Sequence, residues 1–292
     1  MDEDYDVEYL EYGTTYESGY GYCRKKDTHT KYVPPNELSL EHLPANIRDP
    51  KLLEFIKVEQ QLTGLVKVKA VRHSRSAHLC GSCIVQKIEE IRKLRSYSDF
   101  EDEGEAFYQV TVATVCHVIP TDEAAESCTV QLFYDNQNSD AGQKIMCGIK
   151  RHTVEVKGDW CALVCRTNDT KLVTLLRDLL TKYWALGCEL QEKYANTTVN
   201  LVIIVSHPHG GPKLVSFGEM KDKTKKRQVR DGQEWCQYSY TAPTCRGSSG
   251  GPVYILGQWS EGFGFWFGHA HNHSRYINKK RHGQSSVGVR LT

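Results

Sequence analysis

Ser249 lies in a glycine-rich stretch that could hold a reactive hydroxyl out of a loop. The stretch 244–253 has the sequence TCRGSSGGPV and runs into an apolar segment, Val253–Leu256, that predicts a β-strand. Glycine adopts φ values closed to residues with a Cβ, so the backbone beside Ser249 can approach a substrate closely. The N–H groups of Gly247 and Ser249 would then bind the oxyanion formed when Ser249 attacks a carbonyl. The same composition also suits a β-turn without chemistry.

His117 and Asp159 are the candidates for the base and the orienting acid that Ser249 would need. A serine hydroxyl is a weak nucleophile at neutral pH and requires a base. Histidine has a suitable pKa, and a carboxylate behind it fixes its tautomer. Of the 12 histidines, His117 lies in a turn directly after a predicted strand, 107–114. Asp159 opens another predicted strand, whose apolar residues would partly bury its carboxylate.

A second group of chemically versatile residues, His73, His78, Cys80 and Cys83, lies between two predicted strands. A Cys-x-x-Cys pair with two nearby histidines is compatible with zinc. The spacing is cramped and a second ligand pair is missing, so we interpret these cysteines as buried or loop thiols. The proposed hydrolysis needs only side chains and backbone, so we expect no cofactor and no metal.

The composition excludes several classes of partner. The net charge of +1, from 37 basic and 36 acidic residues among 292, gives no global field that would attract nucleic acid or an anionic membrane. No run of about 18 apolar residues predicts a transmembrane helix. The basic run Lys221–Arg230 is interpreted as a solvated loop, with nucleic-acid binding through it as a weaker alternative.

The cysteines and the N-terminus predict an intracellular location. Residues 1–6 are acidic and lack the apolar segment of a secretory signal, which indicates the cytoplasm or the nucleus. Eleven cysteines is an odd number, and in such a compartment we expect them to be free thiols.

The remaining chain is organised as β-strands interrupted by two helices. Residues 1–35 show no period and predict a flexible or loosely docked arm. A capped helix follows Asp49 and Pro50 and is expected to stop at Gly64. Strand patterns begin at Leu65, and apolar residues at three- and four-residue steps over 172–186 predict one long helix between two β units.

Three motifs together resemble those of the trypsin-like, chymotrypsin-fold serine peptidases. Residues 247–252 (GSSGGP) resemble the nucleophile motif, and 114–118 (TVCHV) resemble the histidine motif, whose commoner form is Thr-Ala-Ala-His. Residues 159–163 (DWCAL) resemble the Asp-x-Ala-Leu motif. Their order is that of the family, and the separations of 42 and 90 residues are close to those of compact members.

The resemblance implies an all-β fold of two antiparallel barrels of chymotrypsin type, with an N-terminal helical arm and an inserted helix between the barrels. The predicted boundaries are an acidic, tyrosine-rich arm with a short helix over 1–63 and a peptidase domain over 64–292. Within that domain we expect barrel one at 64–168, the linking helix at 170–195 and barrel two at 198–292.

Departures from the secreted members favour a reducing compartment. Ser248 stands where those members have the aspartate that pairs with a new N-terminal amine after activation. Val118 replaces the cysteine beside the histidine, and Cys245 lacks its usual partner because no cysteine follows it. The resemblance is therefore closer to the intracellular, HtrA-like and viral-like branch, where Ile204–Gly210 resembles the strand and turn before the nucleophile loop.

The first specificity pocket is implied by the same resemblance. Pro243, six residues before Ser249, would form the pocket floor and argues against selection of Lys or Arg. Residues 267–271 should border the pocket, where His269 resembles the histidine of members selective for glutamate and glutamine. The alternative is that the histidines of this segment face solvent.

The resemblance thus implies an intracellular serine endopeptidase that hydrolyses peptide bonds in protein or peptide substrates. The alternative is a catalytically weak or inactive scaffold of the same fold that binds protein partners. The unusual Val115 and Cys116 before His117, and the inserted helix, favour that alternative, whereas the intact set of three residues disfavours it. The oligomeric state is left open.

Overall fold

The structure is a computed structural model. It describes residues 7–11, 15–91, 107–137, 142–228, 233–258, 268–272, 283–285 and 288–291. Strands dominate these residues: β1 Glu8–Glu11, β2 Tyr32–Val33, β3 Thr63–Arg72, β4 Arg75–Ile91, β5 Phe107–Thr114, β6 Cys128–Leu132, β7 Lys144–Glu155, β8 Trp160–Thr167, β9 Leu201–Ser206, β10 Leu214–Gln228, β11 Gln233–Tyr240, β12 Pro252–Ile255, β13 Gly268–Asn272, β14 Gly283–Ser285 and β15 Gly288–Leu291. The α-helices are α1 Tyr16–Gly21, α2 Pro50–Leu62, α3 Asp122–Glu126 and α4 Thr170–Tyr194.

The strands form two antiparallel sheets, and each sheet closes on itself. In the first, the order is β1-β4-β3-β6-β7-β8-β5, and an additional pairing of β4 with β5 closes the ring. In the second, the order is β15-β11-β14-β13-β12-β9-β10-β2, and an additional pairing of β10 with β11 closes it. Closure gives hydrogen-bond partners to the backbone groups of the strands that would otherwise lie at the edges of each ring. The predicted all-β fold of two antiparallel barrels is therefore confirmed, and α4 lies between them in the sequence.

The N-terminal segment is docked, which contradicts the expectation of a flexible or loosely docked arm. β1 pairs with the first half of β4 in the first sheet, and β2 pairs with β10 in the second. The ring of Tyr16, in α1, lies so close to Gly211 that a Cβ there would collide with it. Local sequence did not predict this docking because all of the partners are distant in the chain. The division at residue 63 stays a prediction.

Helices α2 and α4 pack against each other. Asp49 caps α2 by accepting from the Lys51 N–H at 3.0 Å, and the Phe55 ring stacks on the Tyr183 ring of α4 at 4.8 Å between centroids. The Tyr183 hydroxyl donates to Glu59 Oε1 at 3.1 Å. Burial raises the pKa of the Glu59 carboxyl to about 8, so this carboxyl enters the helix interface as a neutral acid at pH 7.

Two local expectations are wrong. Gly64 does not stop α2, which ends at Leu62; Gly64 belongs to β3, where a Cβ would lie 2.8 Å from the Leu132 side chain of β6. The basic run was expected to be a loop, but its residues from Lys221 to Gln228 continue β10 and pair with β11. None of the described helices has the length and apolar character needed to cross a membrane.

Candidate active site

The pairing of β5 with β8 brings His117 and Asp159 together. Thr114, the last residue of β5, lies opposite Cys161 of β8, and Asp159 directly precedes that strand. After Thr114 the chain turns, with the Val118 N–H donating to the Val115 carbonyl at 3.2 Å. The two motifs identified in the sequence therefore end up side by side, although they are 42 residues apart.

His117 and Asp159 form a buried pair, joined by one hydrogen bond between the side chains and one from the His117 backbone. His117 Nδ1 lies 2.6 Å from Asp159 Oδ2, and the His117 backbone N–H donates to Asp159 Oδ1 at 3.0 Å. Each side chain is only 4% exposed. Asp159 has φ of +53°, a left-handed conformation that aspartate tolerates better than most residues. A carboxylate that contacts both Nδ1 and the backbone of one histidine fixes the imidazole orientation and tautomer.

Asn272 completes the surroundings of Asp159. This residue ends β13, and its Nδ2 donates to Asp159 Oδ2 at 2.6 Å. The Asp159 carboxylate therefore accepts hydrogen bonds from both barrels, since β13 belongs to the second sheet. Sequence reasoning missed Asn272, because no local pattern reveals a contact between residues 113 positions apart.

The Ser249 loop is a chain of tight turns between β11 and β12. Gly247 and Gly250 have φ of +85° and +88°. The Ser248 N–H donates to the Cys245 carbonyl and the Gly251 N–H to the Ser248 carbonyl, each at 3.0 Å. These left-handed positions explain why glycines flank the two serines. Ser249 itself is buried, with 2% of its surface exposed.

The loops that carry Ser249 and His117 meet on residues 81 and 82 of β4. The Ser82 N–H donates to the Ser249 carbonyl at 2.6 Å, and the Thr114 hydroxyl donates to the Ser82 carbonyl at 2.8 Å. A Cβ built on Gly81 would lie 2.7 Å from the Val118 side chain and 3.1 Å from the Ser249 carbonyl oxygen. The chain segments beside His117 and Ser249 therefore contact the same glycine.

The candidate oxyanion loop is held against the turn after β9. The His209 N–H donates to the Arg246 carbonyl at 2.7 Å. A Cβ at Gly247 would come within 2.7 to 2.9 Å of three backbone atoms of residues 207–210. Only glycine fits this position without displacing the turn. The assignment of the Gly247 and Ser249 N–H groups to an oxyanion hole stays a prediction.

His207, in the same turn, is a structural residue. Its backbone N–H donates to Ser82 Oγ at 2.9 Å, and its Nδ1 lies 2.9 Å from the Gly211 carbonyl oxygen. Burial, followed by the positive charge of Lys213, lowers the pKa of its imidazole to about 3. His207 is therefore neutral at pH 7 and donates from Nδ1.

The two residues predicted for the specificity pocket stay predictions. Pro243 is buried, and its carbonyl accepts from the Ser216 hydroxyl at 2.8 Å. The backbone of His269 lies in β13 opposite Val253, while its side chain is outside the described part of the structure.

His271, two residues further along β13, has a defined polar environment. Its Nδ1 lies 2.7 Å from the hydroxyl of Tyr240, and both side chains are fully buried. Its backbone N–H donates to the Gly251 carbonyl at 2.7 Å, and its own carbonyl accepts from the Gly250 N–H at 2.9 Å. Burial holds the pKa of Tyr240 well above its usual value, so the phenol is protonated. His271 is therefore fixed directly beside the Ser249 loop.

The cysteines considered for zinc in the sequence do not converge. Cys80 Sγ contacts the His78 carbonyl, whereas Cys83 Sγ contacts the Gly64 carbonyl of β3. Three residues apart on β4, the two side chains point to opposite faces of the sheet. Within the part of the chain that the structure describes, a different group gathers four possible ligands, Cys23, His29, His209 and Cys245.

Comparison with known proteins assigns the chain to one family. A model of the trypsin-like peptidase domain matches residues 100–259, which is more than half of the chain and includes His117, Asp159 and Ser249. No curated protein resembles the sequence closely enough to count as a match.

Solved structures of proteases match the chain at low sequence identity, with TM-scores between 0.40 and 0.46. The active form of the Rv3671c protease from M. tuberculosis matches with a TM-score of 0.46 and 13% identity over 82% of each chain. Deg5 matches with a TM-score of 0.40 and 12% identity over 73% of this chain and 82% of its own. The HtrA-type protease AlgW, with a tripeptide, matches with a TM-score of 0.42 and 10% identity over 81% of this chain and 58% of its own.

Proposed function

The chain belongs to the trypsin-like peptidase domain family, and from that premise we propose that it is an intracellular serine endopeptidase. The observation that carries the proposal is the buried contact of 2.6 Å between His117 Nδ1 and Asp159 Oδ2, next to the loop that holds Ser249. All eleven cysteines are free thiols, which supports a reducing compartment. Its substrates are proteins or peptides.

In the proposed reaction His117 acts first as a base and then as an acid. Ser249 Oγ attacks the carbonyl carbon of the peptide bond while His117 Nε2 takes its proton. The Gly247 and Ser249 N–H groups bind the oxyanion, and Asp159 stabilises the imidazolium. His117 then protonates the leaving amine, and a water molecule activated by the same histidine hydrolyses the acyl-enzyme and regenerates the Ser249 hydroxyl.

Cleavage of an unfolded protein by Ser249 variants tests this proposal. We expect the purified chain to generate new N-termini in a denatured substrate, and Ser249→Ala to generate none, because the nucleophile is missing. Ser248→Ala is the matched control. The Ser248 hydroxyl oxygen accepts hydrogen bonds from the Ser206 hydroxyl at 3.1 Å and from the Cys245 N–H at 3.3 Å. Loss of these two neutral hydrogen bonds, each worth about 1 kcal/mol, should lower cleavage by no more than about thirtyfold.

The opposite pattern would contradict the assignment of the nucleophile. Cleavage that persists in Ser249→Ala, or that disappears in Ser248→Ala alone, would move the nucleophile elsewhere. A folded wild-type chain that cleaves no substrate would favour the binding scaffold instead.

We also propose that His271, rather than His269, contacts the substrate side chain before the cleaved bond. The neutral Tyr240 phenol lies 2.7 Å from Nδ1 of His271, and the His271 backbone pairs with Gly250 and Gly251, so the imidazole is fixed beside the nucleophile loop, where the substrate side chain would bind. Pro243 supplies no negative charge that would select Lys or Arg. Glutamine and glutamate are therefore the expected residues at this subsite.

Replacement of His271 should change specificity more than the chemical step. For peptides with glutamine before the cleaved bond, His271→Leu should lower kcat/KM by about tenfold to a hundredfold, since a buried polar group loses its partner. Peptides with leucine there should lose much less, and Tyr240→Phe should give a smaller change in the same direction. Equal losses on both peptides would contradict this role, and would indicate that His271 only supports the fold.

A further inference from the structure

Four metal-binding side chains meet where the N-terminal segment docks on the second barrel. Cys23 and His29 come from the N-terminal segment, His209 from the turn after β9, and Cys245 from the loop that leads to Ser249. One ligand atom from each lies within 4.8 Å of the other three. No local spacing predicts this group, because Cys23 and Cys245 are 222 residues apart.

Two of the distances between ligand atoms agree closely with a tetrahedral zinc ion. Zinc binds sulfur at about 2.3 Å and nitrogen at about 2.0–2.1 Å, so a tetrahedron places two sulfurs about 3.8 Å apart and sulfur and nitrogen about 3.6 Å apart. The Cys23 and Cys245 sulfurs are 3.7 Å apart, and Cys245 Sγ lies 3.3 Å from His29 Nε2. These three atoms could bind one ion after shifts of a few tenths of an ångström, and the His209 ligand atom lies within 4.8 Å of each of them.

His209 points an unsatisfied nitrogen into this group. Its imidazole is 2% exposed, and Nδ1 lies 2.8 Å from Glu8 Oε2. Nε2 is buried on the side of Cys23 and makes no hydrogen bond of normal geometry to the described residues. A buried donor or acceptor without a partner is costly, whereas a metal ion would satisfy Nε2. The Glu8 carboxylate fixes the tautomer that leaves the Nε2 lone pair free, as carboxylates do behind zinc-binding histidines.

The surroundings of the group also suit a thiolate site. The Lys25 backbone N–H donates to Cys23 Sγ at 3.4 Å, which stabilises a negative sulfur. The Tyr20 ring lies on His29, with 4.0 Å between centroids, and at 5.1 Å from the His209 ring, so it packs against two of the four side chains. Two thiolates and two neutral imidazoles carry two negative charges, which balance the charge of a divalent ion.

We propose that Cys23, His29, His209 and Cys245 bind one Zn²⁺ ion in a closed structural site that fastens the N-terminal segment to the nucleophile loop. Four protein ligands leave no open position for a substrate or water, which makes the site structural. Binding of the Zn²⁺ ion releases the two thiol protons of Cys23 and Cys245 to solvent. From the sequence we expected no metal, because the proposed hydrolysis needs none and because the spacing of His73, His78, Cys80 and Cys83 did not suit zinc; the structural site proposed here is a different group.

The position of the site gives it a mechanical role. Cys245 lies four residues before Ser249, and the His209 N–H holds the Arg246 carbonyl at 2.7 Å. The metal would therefore fix both sides of the contact that supports Gly247. In a reducing compartment a disulfide at Cys245 would not persist, and the metal would provide a cross-link at this position instead. Metal binding itself does not depend on the proposed peptidase activity.

Zinc content of the full-length chain tests the site directly. After expression with zinc and dialysis, elemental analysis should find one zinc per wild-type chain. Cys23→Ser and His29→Asn should lose it, while Cys188→Ser, which removes an exposed cysteine of α4, should retain it. Ser249→Ala should also retain it, which separates this proposal from the peptidase mechanism. A zinc-free wild-type chain, or full zinc in Cys23→Ser, would overturn the proposal.

Three further measurements keep the test independent of folding defects. Cobalt-substituted wild-type protein should show the intense visible bands of a tetrahedral site together with thiolate-to-metal charge transfer. Glu8→Gln, which leaves all four ligands in place, should weaken zinc affinity by about ten- to a hundredfold in competition with a chelator. A chelator should lower the Tm of the wild type and leave that of Cys23→Ser unchanged. A disulfide between Cys23 and Cys245 in reduced, zinc-supplied protein would contradict the site.

Discussion

We expect His117→Ala to lower kcat by about a million-fold. Its residual rate should nearly equal that of Ser249→Ala. The proposed mechanism gives His117 every proton transfer, so without it the Ser249 hydroxyl is not activated. Loss of either His117 or Ser249 should therefore remove the catalytic contribution of both residues. What remains would come from substrate binding and the oxyanion hole alone.

The double variant makes this prediction sharp. If the two residues act as one unit, His117→Ala combined with Ser249→Ala should be no slower than either single variant. Residues that contribute independently would instead give multiplied losses. Circular dichroism and thermal unfolding of all three variants provide the control for folding. Multiplied losses, or a His117→Ala variant within about tenfold of the wild type, would contradict the mechanism.

Asp159→Asn is expected to lower kcat by about ten thousand-fold while the chain stays folded. The Asp159 carboxylate accepts from His117 Nδ1, from the His117 backbone and from Asn272. An amide cannot accept all three, because one of its polar atoms is a donor. The imidazole would then be held in the wrong tautomer, and no charge would stabilise its protonated form.

An exposed carboxylate in the same barrel provides the matched control. Asp122 pairs with Arg151 at 3.0 Å on the surface of the first barrel, and Asp122→Asn should leave the rate unchanged. Kinetics on a single peptide substrate compare the two variants. An Asp159→Asn enzyme that keeps more than about a tenth of wild-type kcat would show that this carboxylate does not orient the base.

The sequence predicts the strands and the long helices well, because their signals are local, whereas the two barrels were implied by the family resemblance. Asp49 and Pro50 mark the start of α2, and apolar residues at helical spacing mark α4. The motifs around His117, Asp159 and Ser249 were also found in the sequence, since each is a short stretch of fixed composition. These predictions need no knowledge of which strands are neighbours.

The N-terminal segment and the charged half of β10 were not predicted, because their structure depends on distant partners. Glu8 lies in a strand that pairs with Cys80, and its carboxylate contacts His209. Lys223 of β10 lies in a strand because its backbone pairs with Tyr238, whatever its own composition favours. Polar composition alone is the same for a flexible arm and for a docked one.

The partners of the candidate catalytic residues escaped prediction for the same reason. Asn272 reaches Asp159 from the other barrel, and His271 meets Tyr240 across a gap of 31 residues. Neither contact follows from a local pattern. The resemblance to the family placed the pocket histidine in the segment 267–271 but selected His269, whereas the polar contact on Tyr240 favours His271.

Mapping of a covalent fluorophosphonate adduct tests the central claim most directly. A fluorophosphonate reacts only with a serine whose hydroxyl has been activated. Peptide mass spectrometry of the labelled wild-type chain should place the adduct on Ser249, and His117→Ala should remain unlabelled under the same conditions. An adduct on any other residue, or equal labelling of wild type and His117→Ala, would contradict the account.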